Sequence, residues 1–428
     1  MSRTLLLGLL VFALLLTGLA LLDGRFFLLL MPLLVYVGVA LLGMPDSIPI
    51  RAYRDLQSLA LQEGDSAIMY LKLINEGAAI SVLEVRDQVP PGGLRVVEGF
   101  TGLVTALPSG STAQLAYSLK AARGAYEFQS VAVTVSETLG LFQRAAQLPA
   151  YTRLIVMPRA RRLRSLPIRP RRTLGFAGPI PSRQSGVGVD FYGVREYQPG
   201  DQLRRVNWHV MARRPDRPHT TEFEQERIAD VGLILDVRRQ IALEMPGASL
   251  LEHGVHAAAA LAESLLHDGH RVGLLLYGRG IEWVFPGYGR LQRERILRAL
   301  ASAGPGDSQV FASLDFFPAR LFPPRSQMIF ISPLLGDDHQ MLFRLQAQGY
   351  AVFVISPDPV SFEVAYLPTD PLLSLATRMA QLERRLLLQR LRQSGIAVAD
   401  WPVHQPLDDS IHAAMTSAWR AGSLMGNR

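Results

Sequence analysis

Gly193–Arg214 reads GVREYQPGDQLRRVNWHVMARR, and Val231–Asp236, a little downstream, reads VGLILD. The first stretch is crowded with side chains that recognise other groups: Arg195, Glu196, Tyr197, Asp201, Arg204, Arg205, Asn207, Trp208 and Arg213. Pro199-Gly200-Asp201 at its middle is turn chemistry, because proline presets φ and glycine accepts a positive φ at little cost. The second stretch is a short apolar run that ends on a carboxylate, Asp236, the pattern of a buried strand delivering one polar residue to the end of a sheet. Together they predict a recognition motif over an α/β domain whose first strand ends at Asp236.

Beyond Asp236 the chain alternates apolar runs with helical patterns. Strands are expected at 231–235, 271–277, 281–285, 328–332, 351–356 and 396–401. Helices are expected at 250–267, 291–301, 338–348, 372–393 and 409–419, with the heptad-like leucines of 372–393 packing on the sheet. Such alternation implies a mostly parallel, doubly wound sheet covered on both faces. These sheets bind ligands at the carboxyl ends of their strands, so Asp236, Tyr277 and Ser332 are expected to share one rim.

Upstream, residues 51–158 change period. Short alternating segments such as Ala67–Leu73, Ala113–Leu119 and Val131–Val135 are separated by Asn75-Glu-Gly, Pro90-Pro-Gly-Gly, Pro108-Ser-Gly and Arg123-Gly, which predicts a β-sandwich. Asp55, Asp65 and Asp87 fall among these turns and form no catalytic constellation. Residues 159–190 read as a basic, Pro/Gly-rich linker: RARRLRSLPIRPRR holds prolines that oppose a helix, and PIPSRQSGVGV (179–189) is a loop leading into the motif.

At the N-terminus, Leu5–Leu22 and Phe26–Leu42 are apolar on every face and flank Asp23-Gly24-Arg25. Each approaches the ~20 residues that cross ~30 Å of hydrocarbon, so residues 1–45 are expected to form two transmembrane helices. A cleaved signal peptide is the competing reading of the first run. Arg3 before the runs and Arg51 and Arg54 after them, against Arg25 between, place the bulk of the chain in the cytoplasm by the positive-inside rule. The chain has no cysteine, which excludes disulfides and thiolate chemistry, and its net charge of +7 is almost all arginine, since Lys72 and Lys120 are the only lysines.

The spacing R-E-Y-x-x-G-D-x-x-R-x-x-x-W-x-x-x-A-R, carried here by Arg195, Glu196, Tyr197, Gly200, Asp201, Arg204, Trp208, Ala212 and Arg213, resembles the hallmark of the domain-of-unknown-function 58 family. The resemblance covers nearly the whole chain. It implies a membrane-anchored protein with an immunoglobulin-like β-sandwich and a von Willebrand factor A-like domain. It also implies association with a MoxR-type AAA+ ATPase.

Functional von Willebrand A domains resemble one another in a D-x-S-x-S loop that holds Mg²⁺ through oxygen ligands. Here the loop is Asp236-Val237-Arg238-Arg239-Gln240, and the family's later Ser-Asp is Ser332-Pro333, so the serines and the second carboxylate are missing. One carboxylate and a serine give Mg²⁺ too few oxygens. Two unit charges 4 Å apart at an effective dielectric of 20 interact by ~4 kcal/mol, and a divalent ion meets Arg238 with about twice that repulsion. Asp236, Arg238, Gln240 and Ser332 therefore read as a degenerate metal-site rim. A guanidinium from Arg238 or Arg239 neutralises Asp236, and neither metal nor cofactor is expected.

Two roles compete for the hallmark. In one, Arg195, Arg204 and Arg213 present forks to an acidic partner surface and Trp208 anchors it. In the other, Glu196 and Asp201 pair internally with the arginines and Trp208 is core. The second is favoured for Glu196, Asp201 and Trp208, the first for Arg205, Arg213 and Arg214. No histidine pair has metal-protease spacing, and Ser185-Gly-Val-Gly lacks the strand–turn–helix setting of a nucleophile. The expectation is a non-enzymatic, membrane-anchored scaffold. The alternatives are binding of nucleic acid or anionic lipid through the arginine run, and a hydrolase using Asp201 and His209.

Overall fold

The computed structural model describes residues 3–42, 47–58, 60–137, 140–164, 180–213, 216–306, 308, 310–368 and 370–425, with the backbone alone at 3–4, 180–190, 192, 223–227 and 417–425. It divides into two units, Met1–Met157 and Pro158–Arg428.

The first unit opens with two apolar helices, α1 (Arg3–Leu21) and α2 (Gly24–Leu42). They reverse through Leu22, which adopts a left-handed φ of 49°, and Asp23, whose side chain accepts a hydrogen bond from the Arg25 N–H at 3.0 Å. At 1.5 Å per residue the 19 residues of α2 span about 28 Å. Among the described residues α2 is long and apolar enough to cross a membrane, and Leu5–Leu21 is a shorter apolar helix.

The rest of this unit is sheet: β1 (Ile50–Leu56), β2 (Ala60–Gln62), β3 (Ser66–Asn75), β4 (Ile80–Asp87), β5 (Leu94–Gly99), β6 (Gly102–Leu107), β7 (Thr112–Ala121), β8 (Gly124–Ser136) and β9 (Gln143–Met157). They form one sheet in the order β1-β3-β7-β5 and a second in the order β2-β9-β8-β4-β6. All pairings are antiparallel except β2 with β9. Alternation explains the packing: Met69, Leu71 and Leu73 from one sheet and Leu83, Val85, Val131 and Val133 from the other point into one shared core.

That core also holds an ion pair that the sequence reading placed elsewhere. Arg54 and Asp87 are bonded with both side chains fully buried. Tyr117 donates to Asp87 at 2.6 Å, and Arg54 lies 4.9 Å from the centre of the Phe128 ring. Asp87 is thus a core acid rather than a turn acid. Arg54 is a core cation, so it is not one of the free charges beside the apolar helices that the orientation argument counted.

The second unit starts with a two-stranded antiparallel ribbon, β10 (Ile180–Glu196) and β11 (His219–Arg227), with the short helix α3 (Trp208–Arg213) in the excursion between them. Residues 180–189, expected as loop, are strand. The ribbon tolerates their glycines and prolines because register shifts at Ser182/Ser185, Gly186/Phe191 and Phe191/Gly193 absorb them, and because both its strands are edges.

Then follow β12 (Asp230–Asp236), the small hairpin β13 (Glu244–Met245) and β14 (Ala248–Ser249), α4 (Leu250–His267), β15 (Arg271–Tyr277), β16 (Ile281–Gly287), α5 (Gly289–Ser302), β17 (Gln327–Ile331), α6 (Asp338–Ala347), β18 (Ala351–Pro357), α7 (Pro359–Val364), α8 (Pro371–Gln393), β19 (Ala397–Trp401) and α9 (Leu407–Met425). The sheet order is β16-β15-β12-β17-β18-β19, parallel throughout except for the antiparallel edge β16. Apolar on both faces, β17 is buried at every position. Ile234, Phe330 and Val354 face α6 and α8, while Leu235 and Ile331 face α4 at Gly254. Strand order reverses between β12 and β17, which is where open sheets of this kind present a crevice.

A further expectation fails in this unit. In α8 only Leu388 and Leu391 are buried; Leu372, Leu375, Met379, Leu382 and Leu386 are exposed instead of packing on the sheet. A heptad repeat records that a face wants a partner, not which partner it has.

Candidate functional site

The crevice between β12 and β17 is filled by side chains of the chain itself. Asp236 at the end of β12 receives Arg238 Nε at 2.9 and 3.1 Å, Arg238 Nη2 at 2.7 Å and the Arg238 backbone N–H at 3.1 Å. Ser332, just past β17, donates to Asp236 Oδ2 at 2.7 Å and accepts from the Leu334 N–H at 3.0 Å. The guanidinium turns its remaining donors to Asp338 (3.1 and 2.6 Å) and to the Ala312 carbonyl (3.0 Å).

Asp338 is the acid that sequence reading missed. A second carboxylate is present, contributed from the first turn of α6 rather than from the position beside Ser332, and its Oδ2 also accepts the Leu335 N–H at 2.7 Å. The Asp337-Asp338 pair opening a helix one loop after a buried strand was the available signal, since acids are favoured at helix starts. The side chains of Arg239 and Gln240 are exposed and take no part, and Tyr277 turns its side chain into the core, where its hydroxyl donates to the Ser313 carbonyl. Burial pushes that phenol up to about 12. Burial also opposes the charge on Arg238, but the hydrogen bonds and charges of Asp236 and Asp338 outweigh it and hold the group above its ordinary range.

Backbone closes the site from the side. Gly278, at φ 142°, sits where a Cβ would lie 2.5 Å from the Arg238 nitrogen, and a Cβ on Gly306 would lie 2.2 Å from the Arg279 nitrogen. Only glycine permits this abutment, in which Gly306 donates to the Val237 carbonyl (2.7 Å) and accepts from Arg239 (3.0 Å). The cavity left beside Asp236, between Leu250, Gly254 and Pro357, measures about 10 Å³, room for about one water. No group of three or more His, Asp or Glu side chains is placed to hold a metal ion among the described residues.

The hallmark is a second, open site. Arg195 forks onto both oxygens of Asp201 at 2.7 Å and reaches Glu222 on β11 at 2.8 Å. Gly200 takes φ 109°, which lets the Gln198 N–H turn back to Asp201 Oδ2 at 2.9 Å. The hydrogen bond from Arg195, then that from Gln198, draws the Asp201 carboxyl down to about 2. Tyr197 donates to the Asp201 carbonyl at 3.3 Å. Glu196 pairs with Arg217 rather than with a hallmark arginine, and that pairing lowers its pKa.

This lock leaves the other hallmark side chains at the surface. Trp208, expected as core, is 65 % exposed, and Leu203 is 73 % exposed. Its place at the start of α3, a helix with no buried residue, keeps the indole outside. Arg204 and Arg213 are exposed, and Arg204 donates to Gln202 at 2.8 Å. Arg205 is half-buried, with its carbonyl accepting from Thr220 at 3.2 Å. Arg214 lies outside the described residues. His209 is exposed, and both Asp201 oxygens are taken up by Arg195. The described start of the arginine run lies along the second unit: Leu163 N donates to Ser264 at 2.9 Å and Arg164 N to Asp408 at 3.0 Å.

The second unit thus combines a doubly wound sheet, a sealed switch-point crevice and an exposed Arg/Trp turn. The sequence model for "Protein of unknown function DUF58" matches residues 193–374, from the hallmark into α8. The chain is 30 % identical over 159 residues to the uncharacterised protein YeaD of Bacillus subtilis, covering 37 % of each chain. It is 29 % identical over 168 residues to the uncharacterised protein Mb1516 of Mycobacterium bovis, covering 38 % of this chain and 51 % of that one. The aligned regions thus span 37 % and 51 % of these relatives' own lengths. Among solved structures, a FixG-related protein from Vibrio parahaemolyticus aligns with 25 % of this chain and 96 % of its own at 14 % identity, with a TM-score of 0.18.

Proposed function

We propose that this chain is a non-catalytic, membrane-anchored scaffold that holds a protein partner on the hallmark turn. The observation that carries the reading is the pairing of a locked frame with an exposed anchor: Arg195 and Asp201 fix the turn while Trp208 stands 65 % exposed and Arg204 and Arg213 are exposed as well. Preorganised Trp and Arg side chains are the residues that dominate interface energies. The carboxylates a hydrolase would use are occupied, Asp201 by Arg195 and both Asp236 and Asp338 by Arg238. The anchor is the apolar pair α1 and α2, with the remainder in the cytoplasm, and the hallmark's resemblance points to a MoxR-type AAA+ ATPase as the partner. Detergent-solubilised full-length chain should retain a MoxR-type ATPase from the same genome. Trp208→Ala and Arg213→Ala should each weaken that retention, the first by about 2 kcal/mol or more if it is a hot spot. Undiminished binding by both variants would reject the reading.

A further inference from the structure

Helix α8 shows two faces with different destinations. Leu388 and Leu391 are buried in the second unit's core and Leu387 packs against it. Arg384 donates to the carbonyls of Pro333 (3.2 Å) and Ser356 (2.9 Å) and to Asp400 Oδ1 (2.7 Å), and faces Asp358 at 3.2 Å. These contacts fix the side that looks at the domain. On the other side Leu372, Leu375, Met379, Leu382 and Leu386 are 76, 58, 59, 52 and 47 % exposed.

Their spacing alternates three and four residues, the a/d seam of a coiled coil and narrower than the apolar stripe of a helix meant for a globular core. With Leu372 at position a, the flanking e and g positions hold Ala376, Arg378, Glu383, Arg385, Arg390 and Arg392, so arginine outnumbers acid. A second copy satisfies these flanks poorly. An antiparallel pair sets Arg378 of one copy beside Arg385 of the other; a parallel pair matches Arg378 with Glu383 but Arg385 with Arg390. Helices that lie on bilayers often carry aromatic residues on their apolar face, and this helix has none. A helix with leucine-type residues on its seam and Glu or Asp on its flanks matches both the width and the charge. The DUF58 match ends at residue 374, so most of the seam lies beyond it.

We infer that the outer face of α8 docks an acidic-flanked amphipathic helix of another protein, independently of the hallmark. Because the chain has no cysteine, Met379→Cys gives a single labelling site for an environment-sensitive fluorophore. Full-length labelled chain in zwitterionic nanodiscs is titrated with a three-heptad peptide bearing Leu at a and d and Glu at e and g. A sister peptide with Lys at e and g, and empty nanodiscs, serve as comparison. The acidic peptide should shift the emission saturably and bind at least tenfold more tightly than the basic one. Leu375→Glu should weaken it at least tenfold, and Arg378→Glu with Arg385→Glu should reverse the preference; the latter pair carries the test should Leu375→Glu misfold. Equal affinity for both peptides overturns the proposal. So does pyrene excimer emission from the labelled chain alone, which would mean self-pairing, or quenching by spin-labelled lipid in anionic nanodiscs, which would mean a bilayer.

Discussion

Arg238 serves two buried carboxylates at once, and this sets what its loss does. Removing one partner of a buried ion network leaves uncompensated charge and costs about 3–5 kcal/mol. Arg238→Ala should therefore lower the unfolding free energy of the second unit by about that amount, read in a urea titration. Tryptophan emission reads this unit specifically, since Trp208, Trp283, Trp401 and Trp419 all lie beyond Met157. The same substitution leaves Asp236, Asp338 and Ser332 facing a space freed of positive charge, so Mn²⁺ should raise the melting temperature of the variant and leave the wild type unmoved. A Mn²⁺ effect on the wild type of equal size would show that the guanidinium does not block the crevice. Asp236 and Arg238 were legible because they are two positions apart on one loop. Asp338 was not, because 100 residues separate it from Arg238 and only the fold joins them.

Among the elements, α4 and β15 meet around a histidine. His270 is 3 % exposed and its Nδ1 accepts the Ala229 N–H at 3.4 Å, a bond that protonation removes. Burial lowers the pKa of His270, and that of His253, below the usual value. The unfolded chain therefore binds more protons below about pH 6.5, and stability present above that pH is lost as pH falls, by at most about 1.4 kcal/mol per unit for each histidine. The urea midpoint should drop between pH 7 and 5, and His270→Asn should flatten part of the drop; a pH-independent midpoint would sink this. Strands such as β17 were legible because an unbroken apolar run bounded by turns has few other uses. The ribbon β10–β11 was not, since bulges let Gly- and Pro-rich sequence pair, and the surface side of α8 was misassigned because periodicity gives a direction without naming what lies there.

For the molecule as a whole, the sequence separated the apolar helices, the alternating segments and the α/β pattern because their hydrophobic periods differ. Buried pairs such as Arg54–Asp87 stayed hidden, since nothing local distinguishes a core arginine from a surface one. If α1 and α2 are the anchor, a chain lacking residues 1–46 should leave the carbonate-washed membrane fraction with its second unit still folded by tryptophan emission; a truncated chain that stays with the membrane would point to a second attachment. The cation beneath the sheet's rim belongs to the polypeptide, so it cannot be stripped by chelators or diluted by falling ion supply. A crevice built this way keeps its cation whatever the supply of divalent ions around it.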